Sequence, residues 1–222
     1  EFLAEYAPFS QSDLENLARA AELYDMSTMI KLDLQNRGSV AQRAIGAGFQ
    51  AVLFTDHHSA MEVRETVRMM KPETPEDDGI FGFPNRRFIG CTPSMDQMDH
   101  ASRLRDVVLA FMIEKKAAME DIEAICSVPG VDMVQFGPSD FAMSNGWNRS
   151  HHMQACSDAE KRMIEVALRH GVQPRCEINT AEEADFYIHL GVKHFCLGDQ
   201  TRVLNAYWRG EGKKMRIAAD KL

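Results

Sequence analysis

Two acidic residues in this 222-residue chain stand where a divalent cation could be held. Glu114 follows the apolar run 107–113. Asp140 ends the segment Phe136-Gly137-Pro138-Ser139-Asp140, 26 positions further on. That spacing is one strand–helix–strand repeat, so a parallel α/β sheet brings both carboxylates to neighbouring strand ends. Two hard oxygen ligands placed there are a minimal seat for a divalent metal with open positions. A 2-oxo acid can fill two of these with its ketone and carboxylate oxygens, and the metal then stabilises an enolate as a Lewis acid. Singly, Glu114 also reads as an exposed carboxylate and Asp140 as a helix N-cap. One repeat apart, they favour the metal.

Other residues could serve the same chemistry. The turn at Gly137 and Ser139 offers the backbone N–H groups of Ser139 and Asp140 to a substrate carboxylate, while Pro138 has no N–H to give. Lys31 ends an apolar strand and could face a developing enolate oxygen, or be a surface lysine at a strand-to-loop step. His57 and His58 directly follow the run 51–55, at the strand end where such chemistry sits. Neighbours on an extended chain point opposite ways, so at most one of them faces a pocket. His57 is carried as a candidate proton shuttle, against a surface loop histidine. Tyr6 is aromatic at a strand end, where core packing is its plainer role. His151 and His152, in a polar stretch, carry less. No G-x-S-x-G, Walker loop or G-x-G-x-x-G occurs.

Alternating strands and helices must position these groups. Strands are predicted over residues 1–6, 28–32, 51–55, 107–113, 132–136, 173–178 and 193–197. Helices are predicted over 12–24, 39–47, 59–70, 116–127, 158–170, 181–190 and 201–208. Ser12 with Glu15, and Thr180 with Glu183, read as capping boxes. Gly48, Gly130, Gly171 and Gly191 each stand between a helix and the next strand, where a left-handed residue is expected. The repeat is that of a parallel α/β fold in one domain, residues 1–222. Seven strands suit an open sheet, whereas a (β/α)8 TIM barrel needs eight, and an open barrel leaves two apolar edges unpaired. An eighth strand–helix unit upstream of residue 1 is therefore expected. Residues 71–102, rich in proline and glycine, break the rhythm. Their Asn85-Arg86-Arg87-Phe88 faces an anionic substrate or a neighbouring subunit, or is part of a solvated loop.

Composition narrows the partners. A formal net charge of −8 argues against nucleic acid. No run reaches the ~20 apolar residues of a membrane helix. The five cysteines are scattered, without C-x-x-C, which fits a reducing, cytoplasmic setting with Cys176 and Cys196 as small core residues.

These motifs resemble the HpcH/HpaI aldolase family, the metal-dependent pyruvate aldolases related to the citrate lyase β-subunit. The resemblance runs over nearly the whole chain. It is carried by Phe111-Met112-Ile113-Glu114, by Val128-Pro129-Gly130-Val131-Asp132, and above all by Phe136-Gly137-Pro138-Ser139-Asp140; the blocks 44–53 and 190–198 fit the same template. It implies a TIM barrel and hexamers built as trimers of dimers with an exchanged C-terminal helix. It also implies Mg²⁺, Mn²⁺ or Co²⁺ on Glu114 and Asp140. Three positions depart from the pattern. The family's Glu-His-Ala-Pro reads Glu5-Tyr6-Ala7-Pro8, its catalytic arginine falls on Lys31, and the aspartate that supports its histidine falls near Gly46. Lysine does not reproduce a planar guanidinium fork, and tyrosine is a poor base at neutral pH. The expectation is a metal-dependent carbon–carbon lyase acting on a 2-oxo acid, with Lys31, Tyr6 and a histidine in the chemistry. Alternatives are a decarboxylase or enolate-addition enzyme resembling macrophomate synthase, or a catalytically decayed metal-binding barrel.

Overall fold

Each of the seven apolar runs forms a strand: β1 Phe2–Leu3, β2 Met29–Leu32, β3 Ala51–Phe54, β4 Val108–Ile113, β5 Met133–Phe136, β6 Gln173–Ile178 and β7 His194–Leu197. The structure is a computed structural model that describes residues 1–83 and 96–222. It divides into two compact units, Glu1–Pro174 and Arg175–Leu222.

In the first unit, β1 to β5 pair in parallel and in chain order. Parallel strands bury both faces, and five of the six residues of β4 are buried accordingly. Alternation sorts these faces. Leu53, Ala110 and Met112 pack with Met29 and Met133 on one side. Phe54 and Phe111 stack on the other, with centroids 5.4 Å apart. The register sets Leu3 opposite Lys31, Leu32 opposite Phe54 and Ile113 opposite Phe136, so the C-terminal strand ends line up. The helices of this unit are α1 Gln11–Glu22, α2 Ser39–Ala47, α3 Ala60–Met70, α4 Gln97–Arg105, α5 Lys116–Glu120, α6 Ile122–Cys126, α7 Pro138–Ser144 and α8 Met153–Arg169. The second unit pairs β6 with β7 in parallel and adds α9 Ala184–His189 and α10 Gln200–Ala219, whose residues are all unburied. Among the described residues no helix is long and apolar enough to cross a membrane.

Several details differ from the sequence expectation. The first capping box is Ser10 with Asp13, because α1 starts at Gln11 and takes Ser12 into its first turn. Thr180 makes no side-chain cap bond; Glu183 accepts from the Asn179 N–H instead. The predicted helix 116–127 breaks at Asp121, whose carboxylate accepts the Ala60 N–H of α3 at 2.7 Å. Two helices were not predicted: α4, which starts in the proline- and glycine-rich stretch and runs past it, and α7, where a turn was read with a helix capped by Asp140 as the alternative; α7 instead starts at Pro138 after Gly137. The last helix runs past Gly210 and Gly212 to Ala219. Gly48, Gly130, Gly171 and Gly191 do take positive φ. Cys176 is buried and Cys196 half-buried. The basic segment 85–88 lies outside the described residues.

His100 of α4 shows how the chain before residue 84 is anchored. It is buried, its Nε2 lies 3.2 Å from the Gly82 carbonyl oxygen, and the rings of Phe81 and Phe83 meet it edge-on. Burial lowers its pKa below the ordinary 6.5, and the Arg103 charge adds to this against the Gly82 bond. As pH falls, the unfolded chain therefore takes up this proton first. The stability contribution is full above about pH 6.5 and lost below it. Urea unfolding at pH 7 and pH 5 should show a smaller acid-induced loss in His100→Gln than in the wild type; equal losses would contradict this account.

Candidate active site

The aligned strand ends gather three carboxylates. Glu5 lies two residues past β1, Asp56 two past β3 and Glu114 one past β4. Each offers an oxygen within 4.8 Å of the other two. By alternation Glu114 continues the side of Ala110 and Met112 and is 2% exposed. A buried carboxylate needs donors. The Asp56 backbone N–H supplies one, 2.8 Å from Glu114 Oε1. To aim it, Asp56 takes φ +64°, a left-handed conformation uncommon outside glycine. The preceding carbonyl, of Thr55, is held by the Arg37 guanidinium at 2.7 and 3.2 Å. Burial raises the Glu114 pKa, while the Asp56 N–H, Lys115 and Lys31 pull it down in part.

Two lysines balance the cluster. Lys31 Nζ lies 2.6 Å from Glu5 Oε2. Lys115 Nζ lies 2.7 Å from Asp56 Oδ1 and 3.7 Å from Asp140 Oδ1. Burial works to lower the pKa of both ammonium groups, yet the bonded carboxylates hold each above its ordinary value. Both stay charged, so neither is poised as an amine nucleophile. Burial also works against the Asp56 carboxylate, but the Lys115 ammonium keeps its pKa below the usual value.

Gly137 and Asp140 approach from the next strand. Gly137 follows β5, and a Cβ built on it would stand 2.6 Å from Glu114 Cβ and 2.8 Å from Glu114 Oε2. Pro138 opens α7, and Ser139 and Asp140 follow in its first turn. Ser139 Oγ accepts from Arg149 Nη1 at 3.3 Å. A cavity of about 410 Å³ opens beside the cluster. Tyr6, Asp56, His58, Lys115 and Asp140 form its polar wall, and Leu34 and Met143 line it as well.

The sequence candidates are thus divided. Glu114, Asp140, Gly137 and Ser139 share this region. Tyr6 reaches the cavity with φ +55°, its N–H donating to Asp33 Oδ2 at 3.3 Å and its hydroxyl to Asp56 Oδ2 at 3.5 Å. Burial and the Asp56 and Glu5 charges raise its pKa, so the phenol keeps its proton. Lys31 lies at the cluster, tied to Glu5, but is not among the residues lining the cavity. His57 and His58 part ways, and His58 is the one at the cavity. His57 is buried against Phe54 and Phe111, with Nε2 2.8 Å from Thr66 Oγ1. Burial and the Arg37 charge push its pKa down to about 3. The ring packs on the side of Phe54, Phe111 and Thr66 and is not among the residues that line the cavity. Glu5, Asp56 and Lys115 were not singled out, although the strand-end rule that marked Glu114 applies to both carboxylates.

The HpcH/HpaI aldolase/citrate lyase family matches residues 10–193. The chain belongs to this family. A 4-hydroxy-4-methyl-2-oxoglutarate aldolase of Chaetomium globosum is 26% identical over 176 residues, 75% of this chain and 61% of its own length. A hydroxypyruvate/pyruvate aldolase of Paraburkholderia phytofirmans is 25% identical over 171 residues, 76% of this chain and 65% of its own. The chain therefore spans 61% and 65% of the length of these two relatives. An HpcH/HpaI aldolase/citrate lyase family protein from Burkholderia cenocepacia J2315 has a TM-score of 0.85 at 20% identity, covering 97% of this chain and 84% of that one. The likeness extends to the fold, a parallel α/β architecture consistent with a TIM-like barrel.

The closeness of Gly137 to Glu114 can be tested directly. Gly137→Ala should lower stability by about 1–3 kcal/mol, since backbone or carboxylate must move to admit the methyl group. A melting temperature equal to the wild type's would show that the two residues are not in contact.

Proposed function

We propose that this family member is a divalent-metal-dependent carbon–carbon lyase of aldolase type that acts on a 2-oxo acid through an enolate. The observation that supports it most is the carboxylate cluster around buried Glu114, opening on a cavity at the C-terminal strand ends. Its donors are hard oxygens, the set preferred by Mg²⁺, Mn²⁺ and similar ions. Glu5, Asp56, Glu114 and Asp140 against Lys31 and Lys115 leave a formal surplus of two negative charges, which one divalent cation balances. The residues suit a metal: Glu5, Asp56 and Glu114 offer oxygens within 4.8 Å of one another, and the proposed ligand pair adds Asp140, which shares Lys115 with Asp56, to Glu114. When bound, the metal supplies Lewis-acid stabilisation of developing negative charge.

The chain's own groups do the rest. Gly137, Ser139 and Asp140 form the place for the substrate carboxylate. Leu34 and Met143, both exposed, give the cavity an apolar side on which a carbon skeleton can rest. Tyr6, still protonated, can hand a proton to an enolate carbon and be reprotonated by the hydroxyl proton that the hydroxy-oxo acid releases as its carbon–carbon bond breaks. That phenol also supports a second outcome for the same enolate, decarboxylation with protonation. Assaying a hydroxy-oxo acid beside oxaloacetate separates the two, since only cleavage releases an aldehyde. A homo-oligomer is proposed too. Support comes from Val203, Leu204, Tyr207, Trp208, Met215 and Ile217 of α10, all more than half exposed.

Removing metal with a chelator should lower turnover at least ~100-fold, and so should Glu114→Gln, which keeps shape but loses charge. Undiminished turnover of a hydroxy-oxo acid after chelation would sink the metal-dependent mechanism.

A further inference from the structure

We propose that Lys115 is the cation that meets the substrate, in place of Lys31, and that it binds the oxygen that gains negative charge as the enolate forms. This rests on the aldolase reading above and adds a residue to it.

Position separates the two lysines. Lys115 lines the cavity beside Tyr6, Asp56 and Asp140, whereas Lys31 is paired with Glu5, which like Glu114 lies outside that lining. Lys31 Nζ is engaged at 2.6 Å by Glu5, both side chains being 15% exposed. Lys115 Nζ is fixed by Asp56 at 2.7 Å, whereas Asp140 at 3.7 Å attracts it without a hydrogen bond. An ammonium has three N–H donors, so the contact with Asp56 orients Lys115 and still leaves donors for a ligand. Its side chain is 16% exposed, enough to touch a bound molecule and sheltered enough for its charge to be felt. Tyr6, bonded to the other oxygen of Asp56, stands at the same wall. The substrate class that fits is a short 2-oxo acid or its hydroxylated aldol product, with oxygens for Lys115 and a carbon skeleton for Leu34 and Met143.

The same placement gives Lys115 an opposite effect on metal binding. It is a positive charge among carboxylates, two of which it faces directly, so it repels the cation those carboxylates attract. A residue that merely held the fold would not weaken metal binding while promoting reaction.

The test uses the full chain with Mn²⁺. Metal binding is followed by calorimetry, and hydrogen–deuterium exchange into the methyl group of pyruvate by NMR. Lys115→Met should bind Mn²⁺ about tenfold more tightly and exchange pyruvate protons at least ~100-fold more slowly. Lys115→Arg, which keeps the charge, should keep wild-type metal affinity and recover part of the exchange. Lys115→Gln carries the expectation for Lys115→Met should that variant fail to fold. Wild-type exchange in Lys115→Met or Lys115→Gln overturns the role of Lys115 alone. Unchanged or weaker metal binding in these variants overturns it as well. A wild-type protein that exchanges no pyruvate proton with Mn²⁺ present overturns the aldolase reading together with this inference.

Discussion

Everything at the strand ends follows from the burial of one carboxylate. Glu114 is 2% exposed, and an isolated charge in that position would be costly. Its main support is a backbone N–H, from Asp56 at 2.8 Å. A backbone donor does not swing away as a side chain can, but aiming it requires the chain after β3 to turn left-handed. Gly137, on the opposite flank, has to lack a side chain because Glu114 occupies the space. Two neighbouring connections are thus shaped by a single carboxylate.

The lysines complete this arrangement in a repeated pattern. Lys31, within β2, and Lys115, two residues past β4, each pair with a carboxylate beyond a neighbouring strand. Such half-buried pairs add little net stability once desolvation is counted. Their effect here is on charge. They neutralise part of a dense acidic cluster and leave an excess suited to a cation. Lys115 also holds the Asp56 pKa below its usual value and fixes Asp56 at the cavity wall.

The strands were legible because parallel strands bury both faces and appear as unbroken apolar runs, as at 107–113. The helix-to-strand joints were legible because Gly48, Gly130, Gly171 and Gly191 lie where a left-handed turn is needed. α7 was read as a turn, or as a helix capped by Asp140, although proline at its first position and aspartate in its first turn are signals for the earlier start. Glu114 was found from its place after an apolar run. Its companions Glu5 and Asp56, and the pairing of Lys115 with Asp56, depend on the register that brings separate strand ends level. No local pattern carries that information. Which of His57 and His58 lines the cavity was not legible for a related reason, since the chain turns left-handed at Asp56 just before them.

That twist has a counterpart at Tyr6. Tyr6 and Asp56 are two of the four non-glycine residues with positive φ among those described, and their side chains meet. Each left-handed residue costs roughly 1–2 kcal/mol. Glycine would relieve that cost at either place and remove the wall, while valine, isoleucine or threonine would supply a wall and resist the backbone. The repertoire of side chains that can face this cavity is therefore set first by handedness and only then by chemistry. A redesign of its specificity has more freedom at Leu34 and Met143 than at the two residues nearest the charge.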